Sequence, residues 1–334
     1  MHYRQYIKIF LIGFLIIIVS LFYQKLNYKH RPKSLPTKPQ PIRLPVSLKR
    51  LGISIEGSGL TWFSKEKKFF LVSDDLPHFK NRVFPYIYSL TPNGLISYPP
   101  VRVISKDPFD DLEGIASDGE NFYLLCSQSM SSKGQLPIKR TCFLKAELKR
   151  QKLYVKKNIY LRTRLHELFK NLSPQKRKEV FGFDSEKKFQ KLNIEGLAYY
   201  KGDLYLAISA PTIKEYALIW RLKDIEQFFT QPELEGKLQL WHRVDTNGEG
   251  LSGITFLSDG SLVLLTGTKK GGALWFVPEK KLSNFDLDPV KVTSWPYNPE
   301  GVSPWPISVD NKVVVVFDRG KRTPLWTVVD VKSP

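Results

Sequence analysis

Residues 111–127, DLEGIASDGENFYLLCS, place a Glu-Gly pair ahead of two short apolar segments joined by a polar turn. The same pattern recurs four times along the chain. The related stretches are SGLTWFSKEKKFFLVSD at 58–74, NIEGLAYYKGDLYLAIS at 193–209, LSGITFLSDGSLVLLTG at 251–267 and NPEGVSPWPISVDNKVVVVFD at 298–318. A unit repeated at intervals of this size is typical of solenoids and propellers.

Each unit has the composition of a β-hairpin followed by further strands. The turns contain Asp-Gly or Gly-Asp pairs, as in SDGEN, YKGD and LSDG, and such pairs suit tight hairpins because the turn requires positive φ. Two more strand-like stretches follow most hairpins, for example YALIWRL and LQLWHRV after the third. Four antiparallel strands repeated radially make a β-propeller, so the sequence predicts an all-β fold of that architecture.

The spacing of the repeats predicts five blades. The glycines that open the repeats lie 55, 82, 57 and 48 residues apart, at Gly59, Gly114, Gly196, Gly253 and Gly301. The last unit supplies three strands, and residues 45–54 could add the fourth, so that the two ends of the chain close the ring. The long interval contains a basic stretch that we expect to form a helical insertion at about 160–192. A degenerate sixth blade in this interval is the alternative.

The N-terminal segment differs from the repeats. Residues 9–23 are uncharged and apolar, which is short for a membrane span but long enough for a signal anchor, and no small-residue cleavage site follows. We therefore expect a signal anchor or transmembrane helix at 1–25, a Pro/Lys-rich linker at 26–45 and the propeller at 46–334. Basic residues flank the apolar run on both sides and leave the topology open, although anchors of this kind usually precede exported domains.

The charge of the chain is unevenly distributed. The net charge is +19, but residues 145–191 alone hold fifteen Lys and Arg against five Asp and Glu. Because the basic residues are concentrated there and at the N-terminus, a nucleic-acid-binding function is not expected. Cys126 and Cys142 are the two cysteines; they are equidistant from Gly134 and form either a disulfide or a pair of small buried side chains.

The residue before each opening glycine is a candidate metal ligand. Related by the ring, these residues should point toward one axis at one face, and they are Ser58, Glu113, Glu195, Ser252 and Glu300. Three carboxylates gathered near an axis repel one another unless a cation or protons compensate. Calcium prefers oxygen ligands, so we expect a calcium site there. The alternative is that the glutamates hydrogen-bond to neighbouring blades without a metal.

Loops after the second strands should surround the same end of the axis. Their candidate catalytic residues, which could activate water, are Asp74, Asp75 and His78. Their candidate anion-binding residues are Lys214, Lys269, Lys270, Arg319 and Arg322.

The Ser, Glu, Glu, Ser, Glu order resembles the five-bladed calcium-activated nucleotidases (apyrases), in which residues of these types hold a central calcium. The short motifs EGLA, LSGI and NPEGV also resemble those of bacterial propellers that include the esterase-like phytase domains. The resemblance covers roughly residues 48–331, mostly as repeat pattern. It implies a calcium-dependent hydrolase of phosphate or other anionic esters. The alternative is a non-catalytic propeller that binds an envelope protein or a ligand, with calcium stabilising the ring.

Overall fold

Antiparallel β-sheet dominates the part of the chain that the structure describes. That part comprises residues 37–50, 55–74, 78–79, 82–83, 85–268, 270–306 and 311–331 of a computed structural model. The N-terminal region and first repeat contain β1 (Gln40–Pro41), α1 (Val46–Arg50), β2 (Gly57–Phe63), β3 (Lys68–Ser73), β4 (His78–Phe79), β5 (Arg82–Val83), β6 (Tyr86–Leu90) and β7 (Val101–Ile104). The second repeat contains β8 (Leu112–Ser117), β9 (Asn121–Cys126), a 3₁₀ turn (Ile138–Thr141), β10 (Cys142–Lys149) and β11 (Lys152–Tyr160).

The remaining elements follow the same scheme. Helices α2 (Leu161–Asn171), α3 (Pro174–Phe181) and α4 (Glu186–Gln190) precede the third repeat. That repeat contains β12 (Asn193–Tyr200), β13 (Asp203–Ile213), β14 (Tyr216–Leu222), α5 (Ile225–Thr230) and β15 (Leu238–Asp245). The last two repeats contain β16 (Leu251–Phe256), β17 (Leu262–Thr268), β18 (Gly271–Val277), a 3₁₀ turn (Glu279–Lys281), β19 (Asp286–Leu287), β20 (Val290–Trp295), β21 (Asn298–Pro304), β22 (Lys312–Asp318) and β23 (Leu325–Asp330).

The predicted hairpins are present in the structure, and the turn chemistry explains them. Between β8 and β9, the Asp118 carboxylate accepts hydrogen bonds from the backbone N–H groups of Glu120 and Asn121 at 2.7 and 2.6 Å. Gly119 takes φ +91°, a backbone conformation that favours glycine. The Asp-Gly pair therefore reverses the chain as the sequence indicated.

Among the described residues, the strands form four larger sheets. Two have four strands, in the orders β1-β23-β22-β21 and β16-β17-β18-β20, and one has five, in the order β12-β13-β14-β15-β19. The first two repeats share an eight-stranded sheet, β2-β3-β6-β7-β11-β10-β9-β8. Its two halves are joined by parallel pairing of β7 and β11, where Arg102 lies opposite Lys152. These sheets form a β-propeller.

The first strand of each repeat lies innermost, and among the described residues these inner strands are β2, β8, β12, β16 and β21. Each packs against two others, in the closed sequence β2, β8, β12, β16, β21 and back to β2. The opening glycines allow this contact. A Cβ on Gly59 would lie 2.7 Å from the carbonyl oxygen of Glu113, and one on Gly253 would lie 2.7 Å from that of Glu300. A side chain at either glycine would therefore force two inner strands apart.

The apolar core lies between adjacent repeats. One cluster joins the first two repeats through Phe63, Phe70 and Phe122, and others join the third to the fourth and the fourth to the fifth. The largest cluster joins the second and third repeats to the helical insertion. Full burial of a phenylalanine side chain such as Phe70 stabilises the fold by roughly 1.5–3 kcal/mol.

The long interval between the second and third repeats holds the predicted helical insertion, and its described residues form helices α2 to α4. Arg162, on α2, is 3% exposed. Its guanidinium donates to the carbonyl oxygens of Gln128, Leu192 and Phe189 at 2.9, 3.3 and 2.6 Å. This residue fastens the insertion to the loop that follows β9.

The first and last of the described strands pair in one sheet, but through a different segment from the one predicted. The fourth strand of the last sheet is β1, in which Gln40 pairs with Trp326. The sequence had placed this strand within 45–54, where α1 forms instead, and had placed residue 40 in the linker. Ile42 continues the contact, since its N–H donates to the carbonyl oxygen of Pro324 at 2.9 Å and its side chain is buried.

Two further predictions concern the N-terminal anchor and the cysteine pair. The predicted anchor at 1–25 lies outside the described residues, and within them no helix combines the length and apolarity that a membrane span requires. Cys126 and Cys142 are both buried free thiols. Since Phe143 pairs with Leu125, the register places the two cysteines directly opposite each other, as the sequence predicted.

We expect Gly59→Ala to lower the free energy of unfolding by about 1–3 kcal/mol, because the new methyl group meets backbone atoms of the next inner strand. Gly57→Ala is a matched control in the same strand, since its Cβ would meet Leu71 at an ordinary 3.4 Å. Chemical denaturation of both variants measures the difference. Equal stabilities would show that the inner strands do not approach as closely as described.

We expect Ile42→Ala to lower the free energy of unfolding by about 2–5 kcal/mol, because it removes a buried side chain beside the closing strand. Val46→Ala, at a residue that is 63% exposed, should change it by less than about 0.5 kcal/mol. If the two variants unfold at the same denaturant concentration, the N-terminal segment does not close the ring.

Candidate functional site

Each inner strand contains a β-bulge at the predicted metal-ligand position. The register shifts between Leu112 and Gly114, between Ile194 and Gly196, and between Pro299 and Gly301. It also shifts between Leu251 and Gly253, and between Gly57 and Leu60. The residues within these shifts include all five predicted ligands: Ser58, Glu113, Glu195, Ser252 and Glu300. A bulge leaves one residue outside the ladder and redirects its side chain.

The redirected side chains act on one another at one end of the ring, which we call the glutamate end. Burial raises the pKa of Glu113 well above its usual range, and the charges of Glu195 and Glu300 raise it further. Burial likewise raises the pKa of Glu195, to about 7. The pKa of Glu300 is raised well above its usual range, first by burial and then by the charge of Asp318. The three carboxyl groups thus share an environment that disfavours three negative charges.

The two serines complete the glutamate end in different ways. Ser252 Oγ donates to the carbonyl oxygen of Pro299 on the neighbouring inner strand at 2.6 Å. Ser58 Oγ is buried without a hydrogen-bond partner at normal geometry, although it lies near enough to Glu300 to lower that residue's pKa. The lone pairs of both hydroxyls remain available to a cation.

A second layer of polar residues lies two positions before the glutamates, and sequence reasoning missed it. Asn193 Nδ2 donates to Glu195 Oε1 at 2.7 Å, and Asn298 Nδ2 donates to Glu300 Oε1 at 2.5 Å. The equivalent residue in the second repeat is Asp111, so a pattern of Asn or Asp, any residue, Glu and Gly was visible in the sequence. Asn193 and Asn298 thus hold Glu195 and Glu300 in place.

Asp111, unlike Asn193 and Asn298, is fixed by both a hydrogen bond and an ion pair. Its carboxylate accepts a hydrogen bond from Ser127 and lies 3.2 Å from Nη1 of Arg140. Its charge also raises the pKa of Glu113 and of Glu195. Asp111 therefore adds negative charge to the glutamate end, although Arg140 partly offsets it.

Of the three predicted catalytic residues, the structure describes the side chain of Asp74 only. Asp74 follows β3, and its charge raises the pKa of Glu113 and Glu300, so it borders the glutamate end as expected. Asp75 lies outside the described residues. The backbone of His78 forms part of β4, and its side chain is not among the described groups.

The charges of the predicted anion-binding residues are not among the main causes of the raised pKa values of Glu113 and Glu300. Lys214 and Lys270 are exposed in turns, Arg322 is exposed, and Lys269 lies outside the described residues. The Arg319 guanidinium lies 5.7 Å from the centre of the Tyr297 ring. The charges that act most on Glu113 and Glu300 are all carboxylates, so the glutamate end is acidic.

The chemistry of the glutamate end suits a hard cation, although the described side chains do not enclose one as they stand. Within the described residues, no three carboxylate, imidazole or thiol groups are close enough together to hold a single metal ion. Two amide oxygens, Asn193 Oδ1 and Asn298 Oδ1, are buried without partners, as is Ser58 Oγ. Such uncharged oxygens, with carboxylates and water, are the ligands that calcium accepts.

Comparison with known proteins supports the fold. No protein-family model and no curated protein sequence matches the chain. A solved GH43 β-1,3-galactosidase with galactodeoxynojirimycin is 12% identical over 90% of this chain and 96% of its own, with a TM-score of 0.52. Two other solved structures are more distant. A luciferin-regenerating enzyme is 9% identical over 88% of this chain and 96% of its own, with a TM-score of 0.44. A gluconolactonase from Xanthomonas campestris is 9% identical over 90% of this chain and 98% of its own, with a TM-score of 0.42. The likeness to the galactosidase agrees with the propeller and concerns the fold alone.

The raised pKa values predict a pH dependence of stability in the presence of a chelator. Between pH 4.5, the usual pKa of a glutamate, and about 7, the folded state binds more protons than the unfolded chain. The free energy of unfolding should therefore fall as the pH rises through this window. Glu195→Gln removes one ionising group, so we expect this variant to reduce the fall by on the order of 2 kcal/mol.

Urea denaturation at pH 4.5, 6 and 7.5 measures this effect. Glu235→Gln, at an exposed residue, serves as the control and should keep the full pH dependence. Identical pH profiles for the wild type and Glu195→Gln would contradict the crowding of carboxylates described above.

Proposed function

We propose that the glutamate end binds calcium and that the chain is a five-bladed propeller built around this site. The observation that carries the proposal is the convergence of Glu113, Glu195 and Glu300 from three inner strands: burial raises the pKa of each, and the charge of Glu195 further raises the pKa of Glu113 and of Glu300. A divalent cation relieves this repulsion, as protons do at lower pH. The closed order of the inner strands supports the blade count.

We further propose that the site hydrolyses phosphate or other anionic esters. Bound calcium would supply a positive charge that can hold a substrate oxygen or lower the pKa of water. Around it, Asn193 and Asn298 orient two of the glutamates, while Ser127 and Arg140 fix Asp111. Asp74 is the nearest candidate to accept a proton from water. Because the surrounding side chains are acidic, an anionic substrate would depend on the cation for its attraction.

The alternative is a non-catalytic propeller in which calcium only stabilises the ring and the same end binds a ligand or an envelope protein. The hydrogen bond from Ser252 to the carbonyl oxygen of Pro299 supports this alternative, because it joins two neighbouring inner strands at the ligand positions. An anchor formed by the apolar run at 9–23 would place such a propeller on the extracytoplasmic side of a membrane.

One experiment separates these functions. The full-length chain is titrated with calcium while its melting temperature is followed, and phosphate release is measured from nucleoside diphosphates, nucleoside triphosphates and phytate. We expect calcium at about 100 times its dissociation constant to add about 2.7 kcal/mol to the free energy of unfolding and so raise the melting temperature. Release should require calcium and disappear with chelator.

Glu300→Gln should abolish both the shift and the release while the protein stays folded at low calcium. Glu235→Gln is the matched control and should behave as the wild type. A calcium-dependent shift without phosphate release favours the non-catalytic propeller. Absence of any shift with calcium would refute the metal site itself.

A further inference from the structure

The inner strands enclose a second cavity beyond the glutamate end. It has a volume of about 220 Å³ and is lined by residues from all of the inner strands. These residues follow the opening glycines by one to five positions, whereas the glutamates precede them. We call this cavity the aromatic pocket, since its walls include Trp62, Tyr199 and Phe256.

An apolar layer separates the aromatic pocket from the glutamate end. The residues immediately after the glycines are all apolar and at most 5% exposed: Leu60, Ile115, Leu197, Ile254 and Val302. On the glutamate side of this layer, the cavity that touches Glu195 and Glu300 has a volume of only about 10 Å³. The two cavities therefore share only apolar residues of this layer, and the polar groups that line each of them are different.

The lining of the pocket combines aromatic faces with hydroxyl groups. Its polar side chains include Thr61, Ser117, Thr255 and Ser303, and none of the described residues that line it carries a charge. Ser303 Oγ is buried and has no hydrogen-bond partner among the described residues. A charged ligand would lose its hydration here without compensation, whereas a neutral ligand with hydroxyl groups and an apolar face would be matched.

The aromatic walls are held in place by their neighbours. The Trp62 ring packs edge-on against Phe69 with centroids 4.9 Å apart, and the Phe256 ring stacks on Tyr200 at 4.4 Å. Rings fixed in this way present a preformed surface, which reduces the entropy lost on binding. A cavity of about 150 Å³ accommodates benzene, and the aromatic pocket, at about 220 Å³, is larger by about half, so a monosaccharide is the upper limit of the ligand size that it takes.

We propose that the aromatic pocket is a binding site for a small neutral polyol of monosaccharide size. The apolar face of the sugar would lie against Trp62, and its hydroxyl groups would form hydrogen bonds with the threonine and serine hydroxyls. This site is independent of the glutamate end, and its occupation does not require calcium.

The test uses the full-length protein with D-glucose, D-galactose and N-acetyl-D-glucosamine as probes, with and without chelator. Binding is followed by tryptophan fluorescence and by saturation-transfer NMR. We expect saturable binding of at least one sugar that chelator does not abolish. Toluene and inorganic phosphate are tested in parallel as apolar and anionic probes.

Two variants locate the binding. Ala198→Leu places a larger side chain in the pocket and should weaken sugar binding at least tenfold. Thr255→Val keeps the shape of the side chain but removes its hydroxyl, and should weaken binding severalfold; it also provides the test if Ala198→Leu fails to fold. Glu235→Gln should bind as the wild type.

Three results would overturn the proposal. The first is saturable binding of toluene or phosphate with none of the sugars. The second is a failure of every probe to bind, and the third is sugar binding that both folded variants retain at full strength. None of these results bears on calcium at the glutamate end, so the two proposals fail separately.

Discussion

Close approach of the inner strands around a common axis is the constraint on which the rest of the structure depends. The backbone of one inner strand lies so near the next that a methyl group at Gly59 or Gly253 would meet a carbonyl oxygen at 2.7 Å. The bulge beside each glycine follows from the same crowding, because the strand must bend where it approaches its neighbour. The packing that closes the ring therefore also determines which side chains leave the ladder at its end.

The glutamates among those side chains destabilise the fold that holds them together. Glu113, Glu195 and Glu300 would be better solvated outside the ring, and their raised pKa values reflect first their burial and then the charges of nearby carboxylates. Hydrophobic packing between the repeats compensates for this destabilisation elsewhere. Perturbed carboxyl groups concentrated at one place are a frequent property of functional sites, and structural ion networks can also produce them. Here they lie at the end of the axis, whereas the salt bridges of the structure lie mostly on partly exposed side chains.

The repeat pattern was sufficient to predict the hairpins, the helical insertion and the residues at the glutamate end, because each depends on local sequence. Features set by distant contacts could not be predicted. The pairing of β7 with β11 joins two repeats that the spacing treats as separate, and a two-residue strand such as β1 has no periodicity to recognise. The roles of Asn193 and Asn298 depend on side-chain geometry, although their recurrence two positions before the glutamates was visible. Asp75 and Lys269 lie outside the described residues, and their roles stay predictions.

The position of β1 has a consequence for the folding of the molecule. Gln40 and its partner Trp326 lie far apart in the sequence, in the first and last of the described strands. The last sheet is complete only when these two segments have come together, and until then that edge of β23 has no partner. Contacts between residues so far apart in sequence form slowly, and an unpaired edge is a site where chains associate wrongly. The pairing of the closing strand is therefore the step at which a folding chain is most exposed to misassembly.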